Sequence, residues 1–263
     1  MTFNSIKYEQ RGAVAWITLH RPDAMNALSP ELIEELDQAL TSAEGDPAIR
    51  ALAITGTPPA FCAGADLKFI GGEVGAPFGD SLAAFLDRIG PVFNALEASP
   101  LPTIAAINGL ALAGGLELVL CCDLVVAAES AKLGDAHANY GLLPGGGSSV
   151  RLPRKIGPTR AKYLLYTGEF LPAVDLVECG LVNRVVPDAA LELTVQTIAE
   201  KIAAKSPLAT ARVKQLVADA VDQPLHSALR QEVNAVIVHT QSADIREGLA
   251  AFNEKRKPKF TGK

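Results

Sequence analysis

Residues 108–123 read NGLALAGGLELVLCCD, and the order of residue types in this stretch decides the architecture. It follows Thr103–Ile107 (TIAAI), an apolar run rich in β-branched residues that reads as a buried strand. Small residues then mark a junction, and a helix opens near Gly114. A strand-to-helix junction leaves backbone N–H groups free, because the first four donors of a helix have no internal partner. A second junction of this kind, residues 60–68 (AFCAGADLK), follows a strand ending near Thr55. Donors from two such junctions can converge on one carbonyl oxygen and stabilise it as charge develops. Glycines that only make tight turns and close packing leave the same pattern. Neither segment is a phosphate loop or a dinucleotide fingerprint, since GxxxxGK[ST] and GxGxxG are both missing.

The rest of the first half repeats this alternation. Residues 13–20 (AVAWITLH), 50–55 (RALAIT) and 123–127 (DLVVA) read as strands. Ser29-Pro30-Glu31 is a helix start, with a serine cap, proline in the first turn and an acid at the positive dipole end. Continuous apolar strands separated by helices predict an α/β protein whose sheets are covered on both faces. After about residue 157 the pattern becomes helical: 157–167, 172–179, 189–205, 207–222 and 224–254 read as helices or helix pairs, punctuated by Gly and Pro. The expected organisation is a core over 1–190 and a helical region over 191–263. No sequence period marks a repeat array. Residues 71–79 (GGEVGAPFG) read as a mobile surface loop.

Composition sets the outer limits. The 263 residues are 49% hydrophobic and 20% charged, which excludes a disordered chain, and only 5% aromatic, so the core must be aliphatic. A net charge of -5 with dispersed Lys and Arg argues against nucleic-acid binding. The four cysteines, with no CxxC, fit reduced thiols in the cytoplasm. The N-terminus MTFNSIKYEQRG has no apolar signal core. The longest uncharged run, 98–116, is broken by two prolines, an asparagine and glycines, so no membrane span is expected. His20, His226 and His239 are scattered without metal spacing, so no metal is expected. No GxSxG supplies a serine nucleophile, and Cys62 reads as a small packing residue.

Five segments, in order and at matching intervals, carry a resemblance that covers nearly the whole chain: HRPDAMNALS (20–29), FCAGADLK (61–68), NGLALAGGLELVLCCDLVVAAE (108–129), LGDAHANYGLLPGGGSSVRLPRKIG (133–157) and EGLAAFNEKRKPKF (247–260). Together they resemble the crotonase, or enoyl-CoA hydratase/isomerase, superfamily. The resemblance implies a crotonase-like spiral of β-β-α units with a helical C-terminal trimerisation region, assembled as a homotrimer or a dimer of trimers. It implies an acyl-CoA substrate and no separate cofactor. It implies that the Ala65 and Gly114 amides form the oxyanion hole. Ala24, Ala27, Ala63, Asp66, Leu67 and Lys68 resemble the wall of the CoA channel. Phe252 and Lys255 resemble residues that contact the nucleotide end, in some members from a neighbouring subunit; read without the resemblance, the basic run at 255–259 is a solvated tail.

Glu117 falls three residues after Gly114, one helical turn on, which turns its carboxylate toward the same side. Read bare, it is either a salt-bridged surface acid or a desolvated acid/base group with a raised pKa. The resemblance favours the second. His137 is the departure: family hydratases carry a second Glu where this chain has His137, flanked by Asp135 and Tyr140. An imidazole titrating near 6.5 can take over the proton transfer, or it can simply hydrogen-bond in the pocket wall. Asp135 is a further candidate, as an orienter of His137. The expected reaction is hydration of a 2-enoyl-CoA through an oxyanion-stabilised enolate. The alternatives are Δ3,Δ2-enoyl-CoA isomerisation, another dehydratase or hydrolase reaction on acyl-CoA, and RNA binding as described for some members of this fold.

Overall fold

The computed structural model describes residues 3–71 and 77–263. The chain opens with an antiparallel hairpin, β1 (Ile6–Arg11) and β2 (Val14–Leu19), turned at Gly12 in the left-handed region. Helix α1 (Pro30–Gly45) follows, and its Ser29 cap accepts the Leu32 N–H as the sequence predicts. Three turns of a spiral come next. Each has one strand in a large sheet, one short strand in a small sheet, and then helix. The first is β3 (Ala51–Gly56), β4 (Ala60–Cys62), α2 (Leu67–Gly71) and α3 (Phe78–Ala98). The second is β5 (Thr103–Ile107), β6 (Leu110–Leu112) and α4 (Gly114–Leu120). The third is β7 (Leu124–Ala128), β8 (Lys132–Gly134), a 3-10 turn at His137–Tyr140, α5 (Ser148–Ile156) and α6 (Pro158–Thr167). Strands β9 (Leu171–Pro172) and β10 (Arg184–Val186) close the two sheets. Helices α7 (Leu191–Ala203), α8 (Pro207–Ala220), α9 (Leu225–His239) and α10 (Ala243–Asn253) complete the chain.

The large sheet has the order β1-β2-β3-β5-β7-β10 and is parallel except for the opening hairpin. The small sheet has the order β4-β6-β8-β9, parallel except at β9. This is the β-β-α spiral that the resemblance implies. Its turns begin at residues 51, 103 and 124. Those unequal intervals explain why a structural repeat leaves no sequence period.

Both faces of the large sheet are covered, as continuous apolar strands require. Helix α1 packs on β2 from one side, with α3 against α1, while α7 lies across β2, β3, β5 and β7. Helix α7 buries Leu191, Val195 and Ala199. Its Gln196 accepts a 2.7 Å hydrogen bond from the indole N–H of Trp16, the chain's one tryptophan, which is 1% exposed in β2. The helix that opens the expected C-terminal region is therefore a layer of the sheet. The core is aliphatic apart from Trp16, Phe61, Phe85 and Phe93.

Several local expectations change. Residues 172–179 do not form one helix: Pro172 ends the two-residue edge strand β9, a position that needs no N–H, and Ala173–Leu176 make a single 3-10 turn. Residues 224–254 form a helix pair, within what the pattern allowed, divided at Ser242, which caps α10 by accepting the Ile245 N–H. The strand character does not stop at 157, because β10 pairs with β7. Of the expected 71–79 loop, Gly71 ends α2 and Phe78 begins α3, and residues 72–76 lie outside the described residues. The basic tail is not free: Arg256 pairs with Glu247, and Asp244 accepts from the Ser206 hydroxyl and from the Thr261 and Gly262 N–H groups.

Candidate active site

The first spiral turn delivers Ala65. Loop 21–28 is folded against it by Asn26, which is fully buried. Its side-chain amide donates to the Thr57 and Ala60 carbonyls (2.8 and 2.7 Å) and its Oδ1 accepts the Arg21 N–H (2.9 Å). The Leu28 N–H donates to Gly64 and the Asp66 N–H donates to Leu28, a parallel bridge that straddles Ala65. In such a bridge the straddled residue directs its own N–H away from the partner strand. Arg21 and Asp66 join at 2.8 Å, and the Ala63 N–H bonds the Met25 carbonyl. Burial by itself would raise the Asp66 pKa, but the guanidinium together with the Phe69 and Lys68 N–H groups outweighs it and holds the carboxyl below its ordinary value. These contacts gather Ala24, Ala27, Ala63, Ala65, Asp66, Leu67 and Lys68 into one wall, with Leu67 and Lys68 on its exposed side.

The second turn delivers Gly114. Ala113 caps α4 at φ 47°, ψ −119°, a strained conformation for a residue with a Cβ, and its N–H bonds the Gly134 carbonyl. Gly114 then takes the first helical position, where the N–H has no intrahelical acceptor. A Cβ on Gly114 would stand 3.4 Å from the Ala65 nitrogen, and one on Gly64 would stand 3.4 Å from the Gly114 nitrogen. The two amides therefore border one small space. Among the described residues neither donates a hydrogen bond. Every residue of α4 is buried, and a Cβ on Gly115 would run into the Cys62 carbonyl, so the two junctions are packed backbone to backbone.

Glu117, on the first turn of α4, is 3% exposed. Its Oε1 accepts the Gly146 and Ser148 N–H groups at 2.8 and 3.1 Å. Its Oε2 has no protein partner among the described residues. A Cβ on Gly146 would lie 2.6 Å from Oε2, so a larger residue there would displace the carboxylate. Desolvation pushes the Glu117 pKa up, against the downward pull of the two amides and of His137. Arg151 braces the amide-bearing loop by donating to the Gly146 carbonyl (2.9 Å) while it reaches Glu97 and Asn94.

The third turn supplies His137, close enough to act on Glu117 electrostatically. Its Nδ1 lies 3.0 Å from Asp135 Oδ2, and the half-buried ring and the buried carboxylate are held together by a tight backbone turn. Burial disfavours a charged ring, but Asp135 overrides this, with Glu117 adding to it, and the His137 pKa rises above its ordinary value.

Phe252 and Lys255 stand apart, largely exposed at the end of α10. No hydrogen bond or ion pair among the described residues joins them to the other predicted residues. The Cys62 thiol is fully buried, with its pKa pushed up to about 12 by desolvation, which suits packing rather than chemistry. Among the described residues, no group of three or more His, Cys, Asp or Glu could hold a metal ion. A surface groove of about 850 Å³ beside Arg160, Tyr163, Val174 and Glu178 contains none of the predicted groups. Sequence reasoning missed Arg21 and Asn26 and the Gly146 and Ser148 amides. The last two had a signal, the glycine run GGG followed by a helix start, which again exposes backbone donors.

Residues 9–263 match the family model described as enoyl-CoA hydratase/isomerase. The chain is 38% identical over 264 residues to a crotonyl-CoA hydratase from Syntrophomonas wolfei, covering 100% of each. It is 36% identical over 278 residues to an enoyl-CoA isomerase/hydratase from Mycosarcoma maydis, again covering 100% of each. The crystal structure of an enoyl-CoA hydratase from Bacillus anthracis superposes with a TM-score of 0.94 at 39% identity, covering 99% of this chain and 100% of that one. By sequence over its whole length and by fold, the chain belongs to the enoyl-CoA hydratase/isomerase family.

Proposed function

We propose that this enzyme adds water across the double bond of a 2-enoyl-CoA. The thioester oxygen accepts the Ala65 and Gly114 N–H groups, which stabilise it as the enolate forms. Glu117 orients a water through Oε2 and takes its proton as the oxygen attacks Cβ. His137 gives a proton to Cα, so the elements of one water enter the substrate. The observation that carries this reading is the opening of α4: an unpartnered amide and a desolvated carboxylate, three residues apart, beside a second unpartnered amide. Ala24, Ala27, Ala63, Asp66, Leu67 and Lys68 line the CoA channel in this reading, and no separate cofactor is needed.

Phe252 and Lys255 act on the CoA of a neighbouring protomer, a role their separation from the other site residues supports. We take 1–190 as the catalytic core and 191–263 as a helical region whose α7 covers the core's sheet and whose later helices assemble a homotrimer or dimer of trimers. In support, α9 buries no residue and leaves Leu225, Leu229, Val233 and Ile237 exposed. The buried, unpaired cysteines support a cytoplasmic location.

Crotonyl-CoA tests the reaction. Loss of the enoyl thioester absorbance with a product heavier by one water is the expected result. A second reading, Δ3,Δ2-enoyl-CoA isomerisation, is favoured by His137 in place of a second carboxylate. A 3-enoyl-CoA converted without water uptake, with crotonyl-CoA left unchanged, would establish it instead.

A further inference from the structure

The Asp135–His137 pair is built by an uncommon piece of backbone. The His137 N–H bonds the Asp135 carbonyl at 2.8 Å, closing a three-residue turn around Ala136 at φ 60°. That conformation is strained for a residue carrying a Cβ. It brings side chains two positions apart to the same side, where they bond at 3.0 Å. An ordinary extended segment after β8 would send them in related directions without this contact. Asp135 is 1% exposed, and His137 is the one side chain among the described residues that bonds its carboxylate; Oδ1 is buried without a partner. A buried carboxylate with one partner needs that partner to bring the proton.

We propose that Asp135 is a positioning residue for proton delivery: it binds His137 through Nδ1, so that every proton the imidazole exchanges with the substrate passes through Nε2. This deepens the hydration reading and rests on it for its kinetic consequence alone. Nδ1–H is committed to Asp135 in the neutral and the charged ring alike, so Nε2 is the nitrogen that gains and loses the proton. The ionisable groups acting on the ring are Asp135 on its own turn and Glu117 on α4. The segment 137–140 is tied to the end of α6 by an uncharged contact, Asn139 to the Gly168 carbonyl. The division of labour follows from this arrangement: Glu117 receives protons, and His137 supplies them.

Nitrogen-15 spectra of the imidazoles test this in the wild-type protein, with the His137 signals assigned by their loss in His137→Gln. The expected result is a neutral ring protonated on Nδ1, with Nε2 titrating. A neutral ring protonated on Nε2 would overturn the proposal and needs no Asp135 variant. Asp135→Asn, or Asp135→Ser if the first does not fold, should titrate at lower pH than wild type. With crotonyl-CoA these variants should lose kcat by about 10²-fold, the low end for a general acid, with KM changed far less. Their loss of rate at high pH should begin at a lower pH. An unchanged titration or an unchanged pH profile would also overturn it. If crotonyl-CoA is not hydrated by the wild type, the hydration reading fails while the tautomer result still stands or falls separately.

Discussion

The two junctions that deliver Ala65 and Gly114 make the same object, an outward-facing amide, by opposite means. At Ala65 the amide is aimed by contacts made from outside: the Leu28 bridge, the Asn26 brace and the Arg21–Asp66 pair. The helix that follows lies at the surface, with Leu67 and Phe69 43% and 49% exposed. At Gly114 the amide is aimed from within, by a strained Ala113 and a helix with no exposed residue. The lesson is a separation of tasks. The buried junction can hold a desolvated acid, so the proposed function puts the chemistry there. The exposed junction can adapt to a large polar ligand, so the proposed function puts the binding there.

This contrast can be broken by experiment. Glu117→Gln keeps the shape of the buried junction and removes its base, so kcat for crotonyl-CoA should fall by about 10²–10⁴-fold. A smaller loss than at any exposed-junction variant would reverse the assignment of tasks. Gly114→Ala places a Cβ 3.0 Å from Leu28 and 3.4 Å from the Ala65 nitrogen, in the space where the proposed function seats the thioester oxygen. The rate should fall by about 10²–10³-fold, as for loss of one oxyanion donor, with little change in melting temperature. Stability should divide the same way. Leu116→Ala should cost about 2–5 kcal/mol in denaturant unfolding, because Leu116 is fully buried, whereas Leu67→Ala should change stability by no more than about 0.5 kcal/mol. Arg21→Ala removes the Asp66 partner at the exposed junction. It should raise KM by roughly 10-fold, one charge-assisted contact, while kcat changes less. A pure kcat effect would mean that the wall of loop 21–28 acts in the chemical step.

The spiral and its site were legible in the sequence to different depths. Gly114, Glu117 and Ala65 could be read because each lies on a junction whose local residue order already exposes an amide or turns a side chain to one face. The alternation of apolar strands with helices gave the covered sheet for the same local reason. What stayed hidden is long-range or conformational. Nothing near Glu117 in sequence announces that Gly146 and Ser148 will hold its Oε1. Asn26 looks like a turn residue until Thr57 and Ala60 are folded over it. Asp135 could be suspected beside His137, but their contact depends on Ala136 adopting a positive φ that its residue type disfavours. Strand β10 is three residues long and exists because β7 offers an edge.

Trp16 gives this protein a built-in optical gauge. Its indole is sealed between β2 and α7, tied to Gln196 and overlain by Arg11 at 4.6 Å, and it takes no part in the constellation around Glu117. Its fluorescence should therefore report whether α7 is seated on the sheet and stay silent to what occupies the catalytic space. An inactive variant with native emission has lost its chemistry, and one with red-shifted emission has lost its architecture.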